Sequence, residues 1–183
     1  MPWTPKFAGV DYKKRDDFLL SYLKQRPPKN DPAYPAYKVV LAFIVGSVCV
    51  RNEYRYVSAD AGARLGTHRA SYKEKYSSNK ELKKLYKDMF TEHPIPVKVI
   101  VDYLESLSDD ELTDGRLENF AEKVSGLALV TKADNEKLND AKLKESLPKG
   151  VTLAKILSGE KPHIARYIEA EVEIAEFRDD VEA

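Results

Sequence analysis

The sequence has one cysteine, one tryptophan and one glutamine. A single cysteine cannot form a disulfide within the chain, and Cys49 lies among apolar residues, where a thiol usually behaves as a small hydrophobic group. Residues 1–10 include two prolines and a lysine and lack the charged and apolar regions of a signal peptide. These features predict a protein that is not secreted and that resides inside the cell or in a virion.

Sequence motifs of catalysis and of cofactor binding are also missing. His68, His93 and His163 are too far apart to provide a zinc-ligand spacing. No P-loop, dinucleotide-binding glycine motif or nucleophile elbow occurs. The acidic clusters at 109–111 and 169–176 fit solvent-exposed faces better than catalytic carboxylate pairs. We therefore predict no enzyme activity, no metal site and no cofactor.

The longest uncharged apolar run extends from Val39 to Val50. A membrane-spanning helix needs roughly 20 apolar residues, so this run predicts the core of a soluble domain and no membrane partner. Its length and the absence of a matching second strand favour a buried helix that continues to Asn52. A strand over 39–50 is the main alternative, because many of its residues are β-branched.

Apolar residues at helical spacing predict most of the other elements. The fold class that we predict is mainly α, a bundle of about seven or eight helices with an extended, proline-rich N-terminal arm. Asn79, Ser108 and Thr131 occupy positions typical of helix caps. Further helices are predicted over 11–25, 79–90, 97–108, 113–124, 131–147, 152–158 and 162–178.

Net charge divides the chain after His93. Residues 1–93 contain 18 Lys and Arg against 10 Asp and Glu, a net charge of +8, and residues 94–183 contain 12 against 20, a net charge of −8. Nine of the 11 tyrosines belong to the first part. Three segments follow from this: an arm, helix and proline-rich connector (1–36), a basic, tyrosine-rich helical half (37–93) and an acidic helical half (94–183). We expect them to form one continuous structural unit.

Basic residues interleaved with tyrosine and histidine give the strongest functional signal. Lys and Arg neutralise phosphates, while Tyr stacks on bases or hydrogen-bonds a phosphate oxygen. Three consecutive cations also occupy the first turn of the first predicted helix, where the helix dipole disfavours them. The candidate nucleic-acid-binding residues are Lys13, Lys14, Arg15, Arg51, Tyr54, Arg55, Tyr56, Arg64, His68, Arg69, Tyr72, Lys73, Lys75 and Tyr76.

A weaker signal lies in the acidic half. The apolar residues and glycine of 153–168 are spaced much as in a helix-turn-helix, with Lys161, His163 and Arg166 where a recognition helix would present them. An ordinary helical hairpin produces the same pattern.

The leading hypothesis is a non-enzymatic structural or binding protein. Its basic half binds DNA or RNA, and its acidic half faces outward or contacts neighbouring copies. A homo-oligomer of this kind, such as a self-assembling, coat-like nucleoprotein subunit, would use both charged halves. The alternative is a stand-alone helical adaptor or regulator that binds a protein partner and no nucleic acid.

Overall fold

The computed structural model describes residues 12–50, 54–68, 70–112, 120 and 123–177. Two short strands from the first half of the chain and two from the second form one sheet. The strands are β1 (Tyr56–Ser58), β2 (Met89–Glu92), β3 (Ala128–Thr131) and β4 (Ile174–Glu176). The helices are α1 (Tyr12–Leu23), α2 (Tyr34–Cys49), α3 (Ala59–Leu65), α4 (Tyr72–Lys75), α5 (Lys80–Leu85), α6 (Val97–Ser106), α7 (Lys132–Asp140), α8 (Leu153–Leu157) and α9 (Ala165–Glu169), with a 3-10 turn at Asp109–Glu111.

The predicted all-helical bundle is wrong, because the fold is mixed α/β. The strand order is β2-β3-β1-β4, in which β1 and β3 are parallel and the outer strands pair antiparallel to their neighbours. Tyr56 lies opposite Ala128 in the parallel pair and opposite Glu176 in the antiparallel one. Strands of three or four residues are too short to show the apolar alternation by which a strand is predicted.

Two of the predicted helices end early and give way to strands. The helix predicted over 79–90 stops at Leu85, and Met89, within the predicted range, begins β2. The helix predicted over 162–178 is limited to α9 and is followed by β4. Asp88 and Glu171 adopt φ values of 59° and 54° just before these strands, a left-handed conformation that ends a helix and is uncommon outside glycine. The helix predicted over 113–124 lies mostly outside the described residues.

The helix predicted over the apolar run is confirmed as α2, but it ends at Cys49 and not at Asn52 as predicted, because Val50 is extended. Leu41 and Val45 on its inner face are almost fully buried in a cluster that also includes Leu19 of α1 and Ile100 of α6. The predicted complete burial is wrong, however, since Val39 on the outer face is 72% exposed. Among the helices in the described ranges, none is long and apolar enough to cross a bilayer.

Capping residues begin two helices and the 3-10 turn at the positions that the sequence predicted. The Asn79 side chain accepts hydrogen bonds from the backbone of Glu81 and Leu82 at the start of α5. Thr131 forms a capping box with Asp134 of α7. The Ser108 box is also present, although it caps the 3-10 turn. Cap chemistry is local, so it can be predicted without knowledge of the tertiary fold.

Candidate nucleic-acid interface

The predicted binding residues fall into distinct structural environments. Arg51 and Arg69 lie outside the described residues, as do the side chains of Lys13 and Arg15 on α1. Lys14 is exposed on the same helix. The remaining nine surround β1 and the short helices α3 and α4, and they divide into core residues, residues held in polar networks, and exposed cations.

Tyr54 and Tyr56, which we expected to stack on bases, belong to the core. They are 3% and 6% exposed. The Tyr54 hydroxyl shares a 2.7 Å hydrogen bond with the Thr91 hydroxyl, and burial raises the pKa of Tyr54 far above its ordinary value. Tyrosine combines a large apolar body with a polar tip, which is why its position in a sequence does not distinguish core from interface. In this conformation neither ring can stack on a base.

A polar network holds the residues around α4 in place. Lys75 donates to the Met89 carbonyl at 2.6 Å, and burial lowers its pKa to about 8. Its ammonium also lies 5.2 Å from the ring centre of Tyr76. Tyr76 remains 42% exposed, and its ring lies 4.6 Å from that of Tyr72. The exposed ring of Tyr76 is therefore available for contact with a partner.

His68 also belongs to this network. Its Nε2 lies 3.1 Å from the Glu74 carboxylate, which accepts a second hydrogen bond from the Tyr86 hydroxyl. The Tyr86 hydroxyl in turn accepts from the Ser71 backbone amide. These contacts connect α4 to the end of α5, so the two short helices are fixed relative to one another.

The cations exposed around this framework form a surface that we call the basic surface. Residues 64–87 contain eight Lys and Arg against two Asp and Glu. Six of the eight are exposed, and none of these six has a carboxylate within 4.0 Å in the described part of the chain. Arg64 is the only one of them with a side-chain hydrogen bond there, a 2.6 Å bond to the Lys87 carbonyl that ties the end of α3 to the end of α5. The basic surface consists of Arg64, Lys73, Lys80, Lys83, Lys84 and Lys87, with Tyr76 beside them.

The sequence-based prediction missed four of these residues. These are Lys80, Lys83, Lys84 and Lys87, which are absent from the predicted binding residues. The first three lie on α5. The sequence signal that could have identified them is the excess of positive charge within residues 64–87. This excess is larger than that of the segments on either side of the apolar run.

Three basic residues elsewhere in the first half are paired with acids of the second half. Lys38 of α2 lies 2.9 Å from Glu105 of α6, and Arg26 lies 3.5 Å from Asp109. Arg55 donates from Nε to Glu176 of β4 at 2.8 Å. Acids from residues 94–183 thus neutralise bases from residues 1–93, and the basic surface keeps its charge.

Comparisons of the chain with protein-family models, with curated proteins and with solved structures found no match in any of the three. What the protein binds must therefore be inferred from the residues and contacts of this chain.

The segment with helix-turn-helix spacing does not present a recognition helix. Its two helices, α8 and α9, have five residues each. Arg166, expected on the DNA-facing side, is 1% exposed. Lys161 and His163 lie in the connection between these helices and line a cleft together with Arg55. The fold thus brings residues from the two predicted nucleic-acid signals together at one place.

Arg166 instead connects three parts of the chain. Its Nη1 donates to the carbonyls of Leu143 and Lys144 at 3.1 and 3.0 Å. Its Nη2 donates to the Glu92 carboxylate at 2.9 Å and to the His93 carbonyl at 2.6 Å. A buried guanidinium needs this number of acceptors to offset the loss of its hydration. The arrangement makes Arg166 a structural residue.

A cleft of about 470 Å³ lies next to Arg166, between α2 and α6. His93 lines it, and burial together with the positive charge of Arg166 lowers the pKa of His93 to about 4. Four cations and three carboxylates of the described residues line this cleft, so their charges nearly balance. It therefore lacks the positive excess that a polyanion requires.

Proposed function

We propose that the protein binds nucleic acid through the basic surface. The observation that carries this proposal is the set of six exposed cations that have no carboxylate partner in the described part of the chain. Unpaired surface charge of one sign raises the free energy of the isolated protein through self-repulsion and attracts a polyanion over distances near the Debye length.

Phosphate contacts of lysine are sequence-independent, since they address the backbone of the nucleic acid. The exposed ring of Tyr76, beside the lysines, can stack on an unpaired base. The helices α4 and α5 are too short to fill a major groove as a recognition helix does. These features favour binding of little sequence specificity.

A salt titration tests the proposal. Binding of labelled single-stranded and duplex 20-mers, of DNA and of RNA, would be followed by fluorescence anisotropy from 50 to 300 mM salt. For duplex DNA each phosphate contact contributes about −0.9 to the slope of log K against log salt. Substitution of Lys80, Lys83, Lys84 and Lys87 by alanine should therefore reduce the slope by up to about 3.6.

The matched control replaces four exposed lysines outside the basic surface by alanine: Lys24, Lys29, Lys144 and Lys149. It changes the net charge of the protein by the same amount, so a general charge effect would alter both variants equally. Equal slopes for the two variants, or no binding of the native protein at 50 mM salt, would contradict the proposal.

Self-assembly is the second candidate, and the outer face of α2 favours it. Val39, Val40 and Phe43 are 72%, 45% and 56% exposed along one side of this helix. The opposite net charges of the two halves would orient one copy against the next. A Val39→Ser, Val40→Ser variant should shift a concentration-dependent oligomer toward the monomer in light scattering. A native protein that stays monomeric at high concentration would favour a monomeric binding protein or the adaptor alternative.

A further inference from the structure

A second cleft, of about 540 Å³, lies at the start of β1 and is separate from the basic surface. Arg55 and Tyr56 form one side of it, and the connection between α8 and α9 forms the other. Ile156, Leu157 and Pro162 give it an apolar wall. We call it the Arg55 cleft.

Among the residues that the structure describes, three cations line the Arg55 cleft, and no Asp or Glu does. Arg55 pairs through Nε with Glu176 of β4 at 2.8 Å. Lys123 donates to the Leu157 carbonyl at 3.0 Å, and Lys161 is exposed. Neither lysine has a carboxylate within 4.0 Å among the described residues. Within this described set, three positive charges against the one negative charge of Glu176 leave an excess of two.

His163 also lines the Arg55 cleft. Burial and the positive charge of Arg55 lower the pKa of its imidazole, and the carboxylate of Glu176 opposes this shift. The imidazole is therefore neutral at pH 7 when the cleft holds no anion, and it can donate one hydrogen bond. An anion placed between Arg55 and His163 would favour the protonated imidazole and add a second charged donor.

We propose that the Arg55 cleft binds a phosphate monoester group. Its excess of two positive charges matches the roughly −1.5 to −2 charge of such a group at pH 7, whereas a phosphodiester within a chain carries only one negative charge. Guanidinium and ammonium groups are the donors that phosphate prefers in proteins. The group can belong to the end of a nucleic acid or to a small phosphate compound.

The experiment follows the His163 imidazole by NMR while inorganic phosphate is added at pH 7 and low salt, with His163→Gln used to assign the signal. A saturable shift and a rise in the His163 pKa are expected. Lys123→Ala and Lys161→Ala should each weaken binding by roughly tenfold, the usual effect of losing one charge-assisted hydrogen bond. Lys149→Ala, an exposed lysine away from the Arg55 cleft, should leave the affinity unchanged.

Two further titrations identify the source of the phosphate group. A short oligonucleotide with a 5′-phosphate is compared with the same oligonucleotide ending in a hydroxyl. Tighter binding of the phosphorylated form, lost in Lys161→Ala, assigns the cleft to nucleic-acid ends. Equal binding of the two, together with saturable binding of inorganic phosphate, assigns it to small phosphate compounds.

Absence of a saturable His163 shift up to 10 mM phosphate would overturn the proposal, and so would equal effects of Lys161→Ala and Lys149→Ala. The alanine variant of the basic surface keeps every residue of the Arg55 cleft and should bind phosphate normally. The experiments therefore distinguish failure of the phosphate proposal for the Arg55 cleft from failure of the nucleic-acid proposal for the basic surface.

Discussion

Replacement of Arg166 by methionine should destabilise the protein severely. The guanidinium makes five hydrogen bonds, to Leu143, Lys144, Glu92, His93 and the Tyr167 hydroxyl, and it is 1% exposed. Methionine has a similar length but no donor. Removing one partner of a buried ion pair costs about 3–5 kcal/mol, because the remaining charge stays poorly hydrated. We expect a loss of this size, which is a large part of the 5–15 kcal/mol that usually stabilises a domain.

Urea unfolding measures this loss. With an m-value of about 2 kcal/mol/M, the unfolding midpoint of Arg166→Met should fall by about 1.5–2.5 M. Arg166→Lys keeps the charge but has only three donors for five acceptors, so its loss should be intermediate. Lys149→Met is the exposed control and should change the free energy of unfolding by less than about 0.5 kcal/mol.

A double-mutant cycle with Glu92→Gln separates the ion pair from the other contacts of Arg166. Once the Glu92 charge is removed, Arg166→Met no longer strands a carboxylate, so the double variant should lose less stability than the sum of the single variants. Strict additivity, or a loss below about 1 kcal/mol for Arg166→Met, would refute the structural role assigned to this residue.

Two further predictions concern buried polar groups. The pKa of His93 is about 4 in the folded protein, below the value near 6.5 that histidine has in an unfolded chain. The contribution of His93 to the free energy of unfolding should therefore be fully present above pH 6.5. It should decline as the pH falls toward 4, by at most about 1.4 kcal/mol per pH unit. Urea midpoints at pH 7 and pH 5 check this, and an equally steep decline in His93→Gln would contradict it. Asp134 accepts hydrogen bonds from the Ser58 and Thr131 hydroxyls at 2.6 and 2.7 Å. Asp134→Ala should therefore lower the free energy of unfolding by about 3 kcal/mol. Asp134→Asn keeps an acceptor and should lower it clearly less. Equal losses in thermal unfolding would refute the role of Asp134 as the shared acceptor.

Local signals in the sequence predicted the helices and caps that depend only on neighbouring residues. The apolar run became α2, and Asn79 and Thr131 cap α5 and α7 as expected. The sheet was missed because its information is not local. Strand β1 pairs with β4, residue 57 facing residue 175, and no pattern within three residues specifies a partner so distant.

Only part of the candidate site could be predicted, because the pairing of charges also depends on contacts between residues distant in the sequence. Basic and aromatic composition pointed to the first half of the chain, which contains the basic surface. Of the residues predicted next to the apolar run, Tyr54 and Tyr56 enter the core, and Arg55 pairs through Nε with Glu176. A cation is available to a partner only if the fold brings no acid close to it. Which acids lie near which cations depends on how the strands of the sheet pair.

The distribution of paired and unpaired charge also bears on the two candidate functions. Acids of the second half already hold Arg26 and Lys38 of the same chain, so these two bases are not free to bind the acidic half of another copy. Head-to-tail assembly would then depend on the basic surface itself, where six cations remain without a carboxylate in the described part of the chain. A nucleic acid and a neighbouring acidic half would compete for the same lysines. Added oligonucleotide should therefore dissociate any oligomer held by charge, whereas an oligomer held by the apolar face of α2 should persist and bind nucleic acid at the same time.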